Sequence, residues 1–431
     1  MNSYVIKGGR IINPASNFDQ VSDILIQDGF ITKIESDIKT DLPVIDAKGK
    51  IVTPGFVEIH AHFREPGYTH KETLKTGSLS ALKGGYTTVC VMPNTNPVID
   101  NTFLVDYLKL KAKENNLVKI EVIGAVSKGL KGIELTNLLG LKEKGVVAYS
   151  DDGMPIMDAN LMKNALQYIK NLDIPIVLHE EDHNLSKPGV VNEGFVSTKL
   201  GLAGTPGSSE EVMIARDIIL AEKFNSHIHI AHVSTKKSVE LIKHAQKSGV
   251  NVTCEVTPHH LLLNESEFVS RPYDTNLKMS PPLRTEEDML ACQKGLLEGT
   301  IQAVATDHAP HSPSEKEQNF GQAPNGIIGL ETAFPALYTN LVKTGNMSLN
   351  SLIEKFTIAP STVFNLDRGN LSIGSSADLT IIDLKNEFVF NEESIMSKSK
   401  NSPWLGQKFY GKIIRTIVNG KTKYMEEINE W

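Results

Sequence analysis

The chain has 431 residues, 40% of them hydrophobic and 22% charged, with a formal net charge of −7. That length exceeds a single small domain and suits two or three domains, or one large α/β barrel with a companion. The composition is that of a globular protein, and the acidic balance argues against a general nucleic-acid binder, which would carry a basic face.

From Tyr4 to about Thr53 the pattern is short β segments, "YVIKGGRIIN", "SDILIQDGFITKIES" and "PVIDAKGKIVTPG". Turn residues at Gly8-Gly9, Asp28-Gly29 and Lys48-Gly49 punctuate them, which predicts antiparallel strands. From residue 54 the rhythm changes to apolar strand, loop and amphipathic helix. The strand candidates are "GFVEIHAH", "TTVCVMPN", "KIEVIGAV", "GVVAYSDD", "PIVLHEED", "IHIAHVS", "NVTCEVTP" and "IQAVATDHAP". Helices such as "NLMKNALQYIKN" and "SVELIKHAQKSG" separate them, and "SSEEVMIARDIILAEKF" opens with a capping-box pattern, Ser208 to Glu211. This alternation predicts a (β/α)₈ barrel, an α/β fold, over residues 54–365. Beyond it "IGSSADLTIIDL" and "GKIIRTIVNGK" return to short strands. Residues 1–53 and 366–431 are therefore expected to build one small composite β domain from both termini.

Cys90, Cys254 and Cys292 lie far apart without a CxxC pair and read as reduced thiols of a cytoplasmic protein. The N-terminus has no apolar signal region, and no run approaches the roughly 18 apolar residues of a membrane helix. The "KGGYTT" glycines read as a helix-to-strand turn rather than a phosphate cradle. The polar stretch "HSPSEKEQNFGQAPN" is equally compatible with a lid over residues 312–324 and with a solvated loop.

Polar residues collect at the C-terminal ends of the predicted strands: His60, His62, Asn94, Asp151, Asp152, His179, His232, His259, His260 and Asp307. In barrels that face carries the active site. His60 and His62 alternate onto one face of a strand and can grip one ion. With His179, His232, Asp307 and one aspartate of "YSDDG" they make a set that suits two divalent ions sharing a carboxylate. A carboxylate after the last strand could move the proton. His259 and His260 read as supporting or structural. His70, His183, His227, His229, His244 and His308 read as structural or surface residues.

The motifs converge on a family. "HAHFREPGYTHKETLKTGSLSALKGGYTTVCVMPNTNPV", "YSDDGMPIMD", "HEEDHNL", "NEGFVSTKLGLAGTP", "EVTPHHLLL", "PPLRTEEDM" and "ATDHAPHSPSEKE" resemble dihydroorotases of the type I kind, within the amidohydrolase superfamily of cyclic amidohydrolases. The resemblance spans essentially the whole chain. It implies reversible cyclisation of N-carbamoyl-L-aspartate to L-dihydroorotate in pyrimidine (UMP) biosynthesis, by a metal-bridged hydroxide with Asp307 as general acid and base. It implies two Zn2+ per subunit, other divalent ions being admissible, with His60, His62 and Asp307 matching one site and His179 and His232 the other. Relatives with a carbamylated bridging lysine differ here, where alignment favours Asp152 over Asp151 as the bridge. Arg64, Asn94 and His311 match residues that hold the substrate carboxylate, and His62, Ser280, Asn325 and Gly326 complete the matched substrate set. Some relatives form homodimers or associate with an aspartate transcarbamoylase. No nucleic-acid or membrane partner is implied.

Two positions depart from the family pattern: Ser280 stands where asparagine is usual, and Asn325 precedes Gly326 where phenylalanine is usual. "MSPPLR" is more similar to hydantoinases, so a hydantoinase- or allantoinase-like activity is the alternative; a catalytically dead scaffold is a third reading, disfavoured because every matched ligand is present.

Overall fold

The computed structural model describes residues 3–426. Its centre is a sheet of eight strands in consecutive order. They are β1 (Phe56–Ala61), β2 (Tyr86–Val91), β3 (Lys119–Gly124), β4 (Ala148–Ser150), β5 (Ile176–Leu178), β6 (Ile228–Ile230), β7 (Val252–Val256) and β8 (Ala303–Val304). Every neighbouring pair is parallel. The two ends of the sheet meet through a parallel bridge between Ala61 and His308, where the His62 N–H donates to the His308 carbonyl at 2.9 Å. All eight strand candidates of the sequence therefore fall on barrel strands, as an alternating βα rhythm requires.

Helices cover the barrel because each has one apolar stripe. In Ala159–Ile169 the buried residues are Leu161, Met162, Ala165, Leu166 and Ile169, one face of an α-helix. The Asp158 carboxylate caps it, accepting from the Asn160 and Leu161 amides. Inside the barrel, Val57, Ile59, Cys90, Met92, Ile123, Ala148, Val177, Ala231, Ala303 and Ala305 belong to one buried apolar cluster. No residue of β7 belongs to it; that strand contributes Glu255 instead, which is fully buried.

A second sheet is built from both ends of the described chain. It orders Lys421–Met425, Lys412–Val418, Leu379–Asp383, Ile51–Pro54, Ser3–Asn13, Phe18–Gln27 and Phe30–Glu35, with Val44–Asp46 also on Ser3–Asn13. The joint is the antiparallel pairing of Ile51–Pro54 with Leu379–Asp383.

Two expectations are corrected. The N-terminal strands are not all antiparallel: Ser3–Asn13 pairs in parallel with Val44–Asp46 and with Ile51–Pro54. The hairpin turn at Asp28-Gly29 is real, but after Phe30–Glu35 the chain crosses back and runs alongside its first strand. Nor does Ser208 form a capping box. It already lies in the helix Ser208–Phe224, whose N-cap Gly207 makes no side-chain bond. The acidic residues of that first turn answer to tertiary partners: Glu210 accepts from the Ser234 and Thr235 amides at 3.1 and 3.2 Å, holding the loop after β6. The "KGGYTT" turn is as expected, with Gly85 at φ +89° between helix Leu74–Lys83 and β2.

Candidate functional site at the barrel mouth

The ligand-type side chains all emerge at the C-terminal ends of the strands. His60 is the penultimate residue of β1 and His62 follows the strand; Asp152, His179, His232 and Asp307 follow β4, β5, β6 and β8. The pairing of β1 with β2 shifts register between Glu58 and Ala61. Such bulges re-aim side chains, which is how a strand with Val57 and Ile59 in the inner cluster turns both histidines to one centre. Arg64, His232 and Asp307 have positive φ, 59°, 32° and 45°, a conformation costly for residues other than glycine and concentrated where function constrains the backbone.

Asp152 occupies the middle. Its Oδ1 lies 3.4 Å from His60 Nε2, 3.7 Å from His179 Nδ1 and 3.8 Å from His232 Nε2, while its Oδ2 lies 3.4 Å from His62 Nε2. Asp307 Oδ1 is 3.0 Å from His62 Nε2 and 3.4 Å from His60 Nε2. Asp151 faces the other way: its Oδ1 accepts from the Val126 and Ser127 amides at 2.8 and 2.9 Å, and its Oδ2 from the Ser127 hydroxyl.

The outer nitrogens of the imidazoles are already spoken for. His60 Nδ1 donates to Glu255 Oε1 at 2.6 Å, His62 Nδ1 to Asn94 Oδ1 at 2.8 Å, and His179 Nε2 to Glu181 Oε2 at 3.1 Å. Each of these tautomers leaves a lone pair on the inward nitrogen, the arrangement metal-binding imidazoles adopt. Glu255 in turn accepts from His229 Nε2 at 3.1 Å, so one buried carboxylate supports the rear of the cluster.

This donor set fits a divalent cation. His60 Nε2 and Asp152 Oδ1 are buried with no hydrogen-bond partner among the described residues, a costly state for polar atoms unless a cation completes it. His60, His62 and Asp307 form one group whose donor atoms converge, and His60, Asp152 and His232 another. Burial opposes charge on His60, yet Asp152, Asp307 and Glu255 outweigh it and raise its pKa well above the usual imidazole value. Burial likewise opposes ionisation of Asp152 and Asp307, and His60 with its neighbouring imidazoles holds both below the usual carboxylate range. The pocket is thus organised around positive charge at its centre.

A pocket of about 350 Å³ opens above the cluster, lined by His62, Arg64, Asn94, Asp152, His179, His232, Ser280, Asp307, His311, Asn325 and Gly326 among others. All seven residues of the expected substrate set line it. Arg64 is half-buried; its Nε donates to the Pro310 carbonyl at 3.2 Å, and its Nη2 approaches His311 Nε2 at 3.3 Å. A guanidinium has five N–H donors, so these contacts leave most of them for an occupant of the pocket. His311 is held neutral, its pKa pushed down to about 2 by burial and by Arg64, Lys71 and Lys316. Ser280 Oγ lies 3.4 Å from Glu181 Oε2.

The remaining sequence candidates sort differently. His260 is structural, bonded to Thr257 Oγ1 at 2.8 Å and donating to the Pro281 carbonyl at 3.0 Å. His259 is buried beside it without a partner for Nε2 among the described residues. The stretch after His311 contains a short helix, Pro313–Lys316, and is tied down from below. Lys316 Nζ donates to the Pro324 and Gly326 carbonyls, and Lys278 Nζ to those of Phe320, Gly321 and Ala323.

Sequence reasoning passed over Glu58, Glu181 and Glu255. Glu58 and Glu255 are isolated acids inside otherwise apolar strands, the one trace that would have exposed them. Glu58 accepts from the His60 amide at 2.8 Å and the Thr306 amide at 3.1 Å, joining β1 to β8 beneath the cluster.

Comparison with known proteins gives dihydroorotases by sequence, and hydantoinases and dihydropyrimidinases among solved structures. A family model described as Dihydro-orotase-like matches residues 49–238. The chain is 47% identical over 425 residues to a protein named dihydroorotase from Acetivibrio thermocellus, covering 98% of this chain and 99% of the other. A dihydroorotase of Geotalea daltonii is 47% identical over 424 residues, with 98% and 99% covered. Among solved structures, L-hydantoinase (dihydropyrimidinase) from Arthrobacter aurescens superposes with a TM-score of 0.88 at 27% identity, covering 98% of this chain and 96% of that one.

Proposed function

This chain belongs to the dihydroorotase family of cyclic amidohydrolases, and on that premise we propose that its barrel mouth interconverts N-carbamoyl-L-aspartate and L-dihydroorotate in pyrimidine biosynthesis. The observation that carries the substrate reading is Arg64, a half-buried guanidinium lining the pocket with donors to spare. Dihydroorotate carries a ring carboxylate that a guanidinium can pair with through charge-assisted hydrogen bonds; a plain hydantoin or dihydropyrimidine ring does not.

The residues proposed to hold metal are His60, His62 and Asp307 for one ion, His179 and His232 for a second, and Asp152 between them. Imidazole and carboxylate donors suit zinc, and also cobalt or manganese. When bound, such ions polarise the ring carbonyl and lower the pKa of water. The chain's own groups do the rest. Arg64, with Asn94 and His311 beside it, would fix the carboxylate and so orient the ring amide over the cluster. Asp307, ionised at neutral pH because His60 and His62 outweigh its burial, would take the proton of the attacking water and deliver it to the departing ring nitrogen. Ser280, Asn325 and Gly326 would contact the ring edge. Glu255, Asn94 and Glu181 would hold the imidazole tautomers.

The hydantoinase alternative draws on Ser280, Asn325 and the L-hydantoinase-like fold. The stretch "GVVAYSDD" has no lysine to carbamylate, and Arg64 would face an uncharged ring. Arg64→Ala separates the readings. It is expected to lower kcat/KM for L-dihydroorotate by about a hundredfold, the effect of removing one partner of a hydrogen-bonded charge pair inside a pocket, and to leave hydantoin hydrolysis within a few-fold. Equal losses on both rings would overturn the carboxylate role of Arg64.

A further inference from the structure

We propose that Asn401, carried by the C-terminal segment, is a positioning residue for substrate binding. Its side chain locks His311 and Gly326 into one frame at the pocket wall. The inference rests on the dihydroorotase reading of the pocket only in what His311 and Gly326 contact; the locking itself is a property of this fold.

Asn401 lies far along the chain from the barrel strands, yet it is buried beneath the pocket at 5% exposure. Its Oδ1 accepts from the His311 amide at 3.1 Å. Its Nδ2 donates to the Ala309 and Gly326 carbonyls, both at 3.1 Å. Its own carbonyl accepts from the Ile328 amide at 2.9 Å. One side chain thus joins the chain entering His311 to the chain leaving Asn325, reinforcing the direct bond from the Ala309 amide to the Ile327 carbonyl at 2.8 Å. An amide is suited to this: an acceptor on one side and a two-headed donor on the other meet an N–H and two carbonyls with no charge to desolvate.

The frame is tight. Gly326 has φ +121°, and a Cβ there would sit 2.6 Å from Ala309 Cβ and 3.4 Å from His311 Nε2. His311 Nε2 in turn donates to the Asn325 carbonyl at 2.8 Å. The orientation of His311 therefore depends on the Asn325 carbonyl, one peptide away from the Gly326 carbonyl that Asn401 holds.

The segment bringing Asn401 into place is fastened along its length. The Met396 and Ser397 amides donate to Glu331 Oε1 at 2.9 and 3.0 Å. Ser397 Oγ donates to the buried Glu72 carboxylate, and Ser399 Oγ to the Lys71 carbonyl at 2.7 Å. Lys71 then reaches His311 Nδ1 with its Nζ at 3.3 Å. The C-terminal segment so addresses His311 from both sides, through Asn401 at its backbone and through Lys71 at its ring. A misplacement of about 1 Å in a binding group can cost a hundredfold, so such a frame matters to the pocket without touching substrate.

The test uses metal-loaded full-length chain carrying Asn401→Ala and, separately, Ser399→Ala, which loosens the segment away from the pocket and stands in should Asn401→Ala fail to fold. Hydrogen exchange at the His311 amide is the readout independent of activity, and metal per chain is measured in every variant. Asn401→Ala is expected to speed that exchange at least tenfold and to raise KM for L-dihydroorotate about tenfold. Metal content should stay unchanged and kcat within about threefold, because a group holding substrate equally in ground and transition state moves KM alone. Ser399→Ala should shift both quantities the same way, by less. Unchanged exchange at His311, or a fall in kcat that tracks lost metal at constant KM, overturns the proposal. Failure of the wild-type chain to turn over dihydroorotate would overturn the substrate reading instead, and the exchange result would still decide the frame.

Discussion

Asp307→Asn is expected to leave the barrel folded and metal-loaded while lowering kcat for dihydroorotate by about 10³-fold, within the range that a positioned acid–base group contributes. The substitution preserves shape, so His62 Nε2, 3.0 Å from Oδ1, keeps a neighbour. It removes the one property the mechanism needs, a carboxylate that burial alone would protonate but that His60 and His62 keep ionised. Steady-state kinetics beside elemental analysis reads the result. Turnover near that of the wild type, with metal retained, would contradict the role given to Asp307.

Asp152→Ala should act more broadly. It takes away the carboxylate that stands between His60, His62, His179 and His232 at 3.4 to 3.8 Å, while Glu255 and Glu181 stay on the outer nitrogens of His60 and His179. Loss of metal and a fall in turnover of at least about 10³-fold are expected together. Asp151→Ala is the control. It strips acceptors from the Val126 and Ser127 amides and should cost about 2 kcal/mol of stability while the metal stays. The reverse pattern, with metal lost from Asp151→Ala and kept by Asp152→Ala, would reassign the bridge.

Much of the fold was legible because its signals are local. Each barrel strand is a short β-branched run before an amphipathic helix, and ligand-type residues follow the runs at a common end, as β5 followed by His179 and β6 followed by His232 illustrate. What stayed hidden depends on partners remote in sequence. The parallel pairing of Ser3–Asn13 with Val44–Asp46 leaves no turn signature. Ser208 is no cap because the helix already begins at it, after Gly207, while Glu210 of the same turn bonds the amides after β6. Spacing could not separate Asp151 from Asp152; alignment favoured Asp152, and the structure shows the loop amides near Val126 taking Asp151 out of the cluster. Glu255 beneath His60 and Asn401 beneath His311 are visible only once strands and termini are brought together.

The most direct measurement is hydrolysis of L-dihydroorotate, dihydrouracil and hydantoin side by side by the zinc-loaded chain. The pocket predicts kcat/KM for dihydroorotate at least about a hundredfold above either uncharged ring, since a site that pairs a guanidinium with the substrate carboxylate rejects a substrate that leaves it unpaired. Preference for the uncharged rings would mean that Ser280 and Asn325, not Arg64, set the specificity; no turnover of any ring with metal bound would contradict the assignment of this site as catalytic.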